Sequence, residues 1–198
     1  AITGTDVSKE AADIVLTDDN FASIYAAVEE GRAVYDNLVK IIMWTLPTNI
    51  GIGLIILTAV FLNIELPIMP SQILWINMTM AGVLGLTLAF EPQLPGIMER
   101  NPRDSSAPIL SKTIIWRTIF VGALMTVVAF LLYQYIMKYT GESIDVARTI
   151  VVNTIVGIGI FYLLSCRSGK SAFRQLHLRP NPMLLPRIST LIALQAIF

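Results

Sequence analysis

Among the oxygen-bearing side chains in the apolar stretches of this chain, the candidates for chemistry are few and fall in three places. Thr45, Thr48 and Asn49 flank Pro47, Asn77 and Thr79 sit together further on, and Asn153 stands in a later run. A cation entering lipid must exchange its hydration shell for such oxygens. Asn49 and Asn77 are therefore the leading candidates for cation ligands, with Thr48, Thr79 and Asn153 behind them. Pro47 adds a backbone oxygen, because proline lacks the amide that would occupy the carbonyl of Met43 one turn earlier. Such a carbonyl persists at membrane depth only where protein or water satisfies it. No Asp or Glu lies in these runs. An intramembrane carboxylate is costly and is kept for function, so its absence limits the charge available to a bound ion. The bland reading is that Asn and Thr in membrane helices hydrogen-bond a neighbouring helix, at roughly 0.6 kcal/mol on average; Asn153 fits it best. Met78 and Met80 offer soft sulfur or plain packing. Cys166 is the single cysteine, which rules out a disulfide framework. His177 lies in a basic loop and reads as solvated.

The elements that must position these residues follow from where charge is missing. The chain has 198 residues, 55% hydrophobic and 14% charged, with a mean hydropathy of +0.68. A soluble domain averages about 25% charged residues. No Asp, Glu, Lys or Arg occurs in residues 41–63, 66–90, 118–137 or 149–166. Each gap is close to the roughly 20 apolar residues a spanning helix needs. The pattern predicts spans at about 41–62, 71–90, 114–137 and 147–166, with a fifth run, 184–198, cut short at Phe198. The fold class expected is an all-α polytopic membrane protein, a helical bundle of four complete spans plus a truncated fifth. The connectors 91–117 and 167–187 are rich in Arg and Lys, whereas 63–71 has none. That asymmetry places the basic connectors and the N-terminal segment in the cytoplasm. A zero net charge gives no reason to expect nucleic acid.

Residues 1–40 differ from the rest. The sequence predicts a helical turn at 9–13, a small strand at 12–16, and an N-capping turn at Thr17-Asp18-Asp19-Asn20. Together these make a short cytoplasmic α/β remnant. From Phe21 the apolar positions Ile24, Val28, Val34, Leu38 and Ile41 follow a helical period with charges between them. No strong breaker intervenes before the first span, so one continuous helix from Phe21 to about Leu62 is expected. Its first half would form a cytoplasmic stalk at 21–40. The chain opens on Ala1 and stops at Phe198 inside an apolar run, and is expected to be a piece of something longer.

Several motifs resemble one family. The run TGTDVSKEAADIVLTDDNF, from Thr3 to Phe21, resembles the end of the phosphorylation domain of calcium-pump-like, type II P-type ATPases, and VEEGRAVYDN, from Val28 to Asn37, resembles the stalk that follows. LPTNIG, from Leu46 to Gly51, looks like the family's fifth membrane helix. ILWINMT, from Ile73 to Thr79, looks like its sixth, and AFEP, from Ala89 to Pro92, like the exit from that helix. Beyond Arg103 the similarity is one of topology. The resemblance implies residues 1–20 as the tail of the phosphorylation domain and 41–198 as the C-terminal transmembrane domain. It also implies a parent that couples ATP hydrolysis, with Mg2+, to cation movement through an aspartyl phosphate. This chain lacks the phosphorylated-Asp motif and the nucleotide-binding domain, so no cofactor and no catalytic residue is expected in it. The implied partners are the transported cation, the remaining pump domains and helices, and the lipid bilayer. The short loops between the spans point to an integral membrane protein of a prokaryotic plasma membrane.

Residue by residue, Asn49 and Asn77 match cation-coordinating Asn residues of the family. Ile52, Ala81 and Gly159 stand where it places acidic ligands, and Met80 where it places a Thr. A calcium site of the usual charge is therefore not expected. A different ion, fewer ions, proton-like countertransport or a degenerate pump remain open. So does a non-enzymatic multi-span protein, such as a channel or regulatory subunit.

Overall fold

A computed structural model describes residues 3–104, 108–167 and 181–197. The N-terminal segment holds a short helix, α1 (Asp6–Glu10), whose N-cap Thr5 accepts from the Ser8 amide. It starts three residues earlier than the expected turn. The expected strand at 12–16 is not formed, and no strand occurs among the described residues. A lone strand leaves its backbone groups unpaired, and here Ile14 and Val15 are exposed. The α/β remnant is therefore corrected to a short helix and extended chain, tied back by hydrogen bonds from Thr3 to Asp19. The Asp18 carboxyl also accepts from the Ser23 hydroxyl and the Asn20 amide, which together hold it below the ordinary carboxylate range.

Helix α2 (Phe21–Phe61) runs unbroken for 41 residues through Gly31 and Pro47. Asn20 caps its start by accepting from the Ala22 amide. Asn63 ends it in the left-handed conformation, with φ 49°. The Ile64 amide reaches the Ala59 carbonyl and the Asn63 amide the Val60 carbonyl, closing the last turn. The second span is composite. Helix α3 (Pro70–Ile76) passes into nine residues of π-helix, Asn77–Gly85, and returns to α4 (Leu86–Ala89). Helix α5 (Lys112–Tyr135), capped by Ser111, continues into a π-helical turn at Ile136–Thr140. Helix α6 (Ile144–Arg167) and the short α7 (Leu184–Ile197) complete the set. Four of these helical stretches are long and apolar enough to cross a membrane: Phe21–Phe61, Pro70–Ala89, Lys112–Thr140 and Ile144–Arg167. The basic stretch with Lys170, Arg174, His177 and Arg179 lies outside the described residues.

In lipid, helices associate through close packing and hydrogen bonds, because lipid is as apolar as the core. Helices α2 and α5 meet at two glycines. A Cβ on Gly51 would stand 3.1 Å from Met125 Sδ and 3.5 Å from the Gly122 backbone, so only glycine keeps this spacing without adjustment. Helix α6 packs against both, α7 lies against the π-helical stretch, and one apolar core runs through them from Trp44, Ile55 and Met80 to Met125, Ile155, Leu163 and Leu191. At the end of the bundle away from the stalk, Arg148 of α6 donates to the Leu66 carbonyl.

Candidate functional site

Pro47 is buried and leaves the Met43 carbonyl without its helical partner. Tyr162 of α6 supplies the missing donor, its Oη lying 2.8 Å from Met43 O. One turn along, Trp44 Nε1 donates to the Gly159 carbonyl at 2.9 Å. The proline irregularity in α2 is thus bonded to α6 in both directions. Tyr162→Phe is expected to strand the Met43 carbonyl and destabilise the bundle by about 1–2 kcal/mol. Thermal unfolding of the purified protein in detergent checks this, and an unchanged midpoint would remove Tyr162 from that role.

The polar residues beside Pro47 divide by face. Thr48 is buried and donates its hydroxyl to the Trp44 and Thr45 carbonyls, both at 3.0 Å. Asn49 is exposed, and its Nδ2 donates to Thr45 O at 2.9 Å, which leaves Oδ1 as its free oxygen. The second span repeats this division. Thr79 is buried with its hydroxyl on the Trp75 carbonyl at 2.8 Å, while Asn77, the first residue of the π-helical stretch, is exposed with Met78, Ala81 and Gly82. Asn153 is elsewhere. It lines a cavity of about 320 Å³ between α6 and α7, together with Gln195. Asn49 and Asn77 therefore occupy parts of their helices that the described bundle leaves uncovered, whereas Thr48 and Thr79 face inward.

The positions where the resemblance implies acidic ligands also divide. Ala81 shares the uncovered face with Asn77. Ile52 and Met80 are buried in the apolar core beside Trp44. Met80 lies directly against Gly159, where an added Cβ would overlap its terminal methyl. The interior between α2, the π-helical stretch and α6 is thus filled by hydrocarbon and sulfur, with no carboxylate. Among the described residues no group of three or more His, Cys, Asp or Glu could hold a metal ion.

A second polar cluster, not anticipated from the sequence, closes the stalk end of the bundle. Glu91, just past α4, is buried and ion-paired with Arg167 of α6, Oε1 to Nη2 at 2.7 Å. Asn181, ahead of α7, donates to Glu91 Oε2 at 2.7 Å and to the Thr87 carbonyl. Asn37 of α2 donates to the Ala89 and Glu91 carbonyls, and its Oδ1 accepts from the buried Lys40 ammonium at 3.1 Å. Helix α6 and the lead into α7 converge on the Glu91 carboxylate, and α2 joins the cluster at the Glu91 backbone carbonyl. The only sequence signal was the position of Lys40, Glu91 and Arg167 at the edges of the apolar runs.

The connector that follows is fastened along α2. Arg32 donates to the Ile97 and Arg100 carbonyls at 2.8 and 2.9 Å. Arg100 pairs with Asp36 at 2.7 Å, and the Arg103 guanidinium stacks 4.5 Å from the Tyr35 ring. The stalk and the segment leaving the second span are therefore joined along about one and a half turns, from Arg32 to Asn37.

Comparison with known proteins agrees with this architecture. The family described as "Cation transporting ATPase, C-terminus" matches residues 65–198. The chain is 54% identical over 172 residues to the probable cation-transporting ATPase F of Mycobacterium tuberculosis, covering 86% of this chain and 19% of that protein. It is 41% identical over 162 residues to the cation-transporting ATPase pma1 of Synechocystis, covering 82% and 18%. It is 36% identical over 172 residues to a calcium-transporting ATPase of Bacillus subtilis, covering 87% and 19%. The chain spans about a fifth of the length of these relatives. With its spanning helices and this match over most of its length, the chain belongs to the P-type cation-transporting ATPase family and is an integral membrane portion from the C-terminal part of such a protein.

Proposed function

We propose that this chain supplies part of the intramembrane cation pathway of an ATP-driven pump, with Asn49 and Asn77 as neutral oxygen ligands. The observation that carries this is the orientation of Asn49. Its amide nitrogen is held by Thr45 O, so its Oδ1 projects on an uncovered face one turn from the proline irregularity. Asn77 opens a π-helical stretch, and such widened turns concentrate at functional sites. Thr48 and Thr79 support the two Asn residues from the buried side. Asn153 acts between α6 and α7. Residues 1–20 are the tail of a phosphorylation domain, 21–40 the stalk and 41–198 the transmembrane domain, with the N-terminal segment in the cytoplasm of a prokaryotic cell. ATP and Mg2+ act on the parts of the protein outside this chain. The unbroken α2 then joins the phosphorylation domain to Asn49 mechanically.

The same reading bears on the ion. Two neutral amides do not balance a divalent charge, and the interior position beside Gly159 is filled. Any neutralising carboxylate must therefore come from residues outside this chain, and the ion number is lower than a site at Ile52, Met80 and Gly159 would allow. Asn77→Ala in the full-length protein is expected to weaken the apparent cation affinity for phosphoenzyme formation roughly tenfold or more. Phosphorylation from ATP titrated with each candidate cation measures it. An unchanged ion dependence removes Asn77 from the pathway, and no cation dependence in the unmodified protein would mark a degenerate pump.

A further inference from the structure

A groove opens on the outer surface between the first turns of α5 and the last turns of α6, at the stalk end of the bundle. It has a volume of about 480 Å³ and is lined by Trp116, Arg117, Phe120, Val121, Tyr162 and Ser165. Its walls are graded. Phe120 and Val121 lie toward the apolar interior of α5, while Arg117 and Ser165 lie at the ends of their helices. Trp116 and Phe120 are largely exposed, at 71% and 69%. We propose that this groove binds an anionic phospholipid, its phosphate on Arg117 and an acyl chain along Phe120 and Val121.

Three observations select this occupant. First, Arg117 is placed as a receptor and not as an ion-pair partner. Among the described residues its partners include the Ser165 hydroxyl at 3.3 Å, the Tyr162 side chain, whose ring lies 5.7 Å away, and Cys166, and no ion pair to a carboxylate is seen. A guanidinium carries five N–H donors in a fork that matches phosphate oxygens. Second, the charge balance is one-sided. Residues 105–198 contain only Glu142 and Asp145 as acids, both next to the start of α6 and so at the opposite end of the bundle. Lys112 lies one turn before Trp116 on the same helix, and Arg167 at the end of α6 is already paired with Glu91. A basic edge of this kind attracts anionic lipid. Third, tryptophan and arginine at the boundary of an apolar run are the side chains that seat at the headgroup level. The inference rests on the chain spanning a membrane and does not depend on the ion or on the pump cycle.

The test uses the full-length protein in nanodiscs made from phosphatidylcholine with a minor fraction of phosphatidylglycerol. Native mass spectrometry then counts each lipid retained. The unmodified protein is expected to retain phosphatidylglycerol preferentially. Arg117→Gln should weaken that retention roughly five- to tenfold while leaving phosphatidylcholine unchanged. Ser165→Ala removes the contact between the helices but keeps the cation, and should retain the preference. Trp116→Leu keeps an apolar wall and should lower retention of both lipids equally. Equal retention of phosphatidylglycerol by the unmodified and Arg117→Gln proteins would overturn the proposal. So would a loss as large in Ser165→Ala as in Arg117→Gln, which would make Arg117 structural. Trp116 fluorescence that brominated phosphatidylglycerol fails to quench, with a Phe120→Cys protein that cross-links to another segment of the same protein, would show a helix in the groove and would equally overturn it.

Discussion

Glu91→Leu is expected to destabilise the protein by about 3–5 kcal/mol, because it leaves a buried guanidinium without its counter-charge. The Glu91 and Arg167 side chains are 4% and 11% exposed, and Lys40 lies in the same enclosed region. Water cannot replace the lost carboxylate at little cost there. The loss spreads through the cluster, since Asn181 gives up its 2.7 Å acceptor. Adding Arg167→Met should restore much of the stability, because a buried ion pair removed as a unit is often close to neutral. Recovery stays partial while Lys40 keeps its charge. Thermal unfolding of the four proteins of this double-mutant cycle in detergent measures the coupling. Additive losses would show that the pair contributes no more than its separate packing.

Gly159→Glu is the second large effect. The resemblance places an acidic ligand here, so restoring the carboxylate invites the expectation of a gain. The structure argues for a loss. The space a Cβ would take already holds the Met80 methyl, and the surroundings are Trp44, Met80 and the apolar core. An ion buried without a partner costs several kcal/mol even after relaxation, and overpacking adds roughly 1–3 kcal/mol. Gly159→Gln carries similar bulk without charge, and the difference between the two variants isolates the electrostatic part. Gly159→Ala should be mild, because the Met80 methyl is the far end of a flexible side chain. Folded yield and thermal midpoint decide the matter. A Gly159→Glu protein that folds as well as the unmodified one would mean the interior is not filled as described.

The spans were legible because charge marks their edges. Each of the four long charge-free runs overlaps one spanning helix, and the continuity of α2 followed from the lack of a breaker between Phe21 and Pro47. The strand expected at 12–16 does not form because its four apolar residues, Ala12, Ile14, Val15 and Leu16, have no second strand among the described residues to pair with. The π-helical stretch was not legible. Its sequence, NMTMAGVLG, contains nothing that separates a five-residue hydrogen-bond step from a four-residue one. Nor was the facing of the polar residues. In a membrane helix both sides are apolar, so no amphipathic period told that Thr48 turns inward while Asn49 does not. Glu91 and Lys40 stand at the ends of apolar runs, where nothing in the local sequence marks burial, yet the chain folds back over them. Tyr162 could have been found, since the carbonyl freed by Pro47 required a donor from another helix.

That same hydrogen bond has a mechanical consequence. Between Tyr162 and Met43, and between Trp44 and Gly159, α2 is fixed to α6 near one point of its length. At 1.5 Å per residue, roughly 35 Å of helix lies on the stalk side of that point and about 27 Å on the far side. A stiff rod held this way behaves as a lever with its fulcrum at Met43 and Trp44. A sideways push at Phe21 reappears at Phe61 in the opposite direction and somewhat reduced. Asn49, close to the fulcrum, mainly rotates in place.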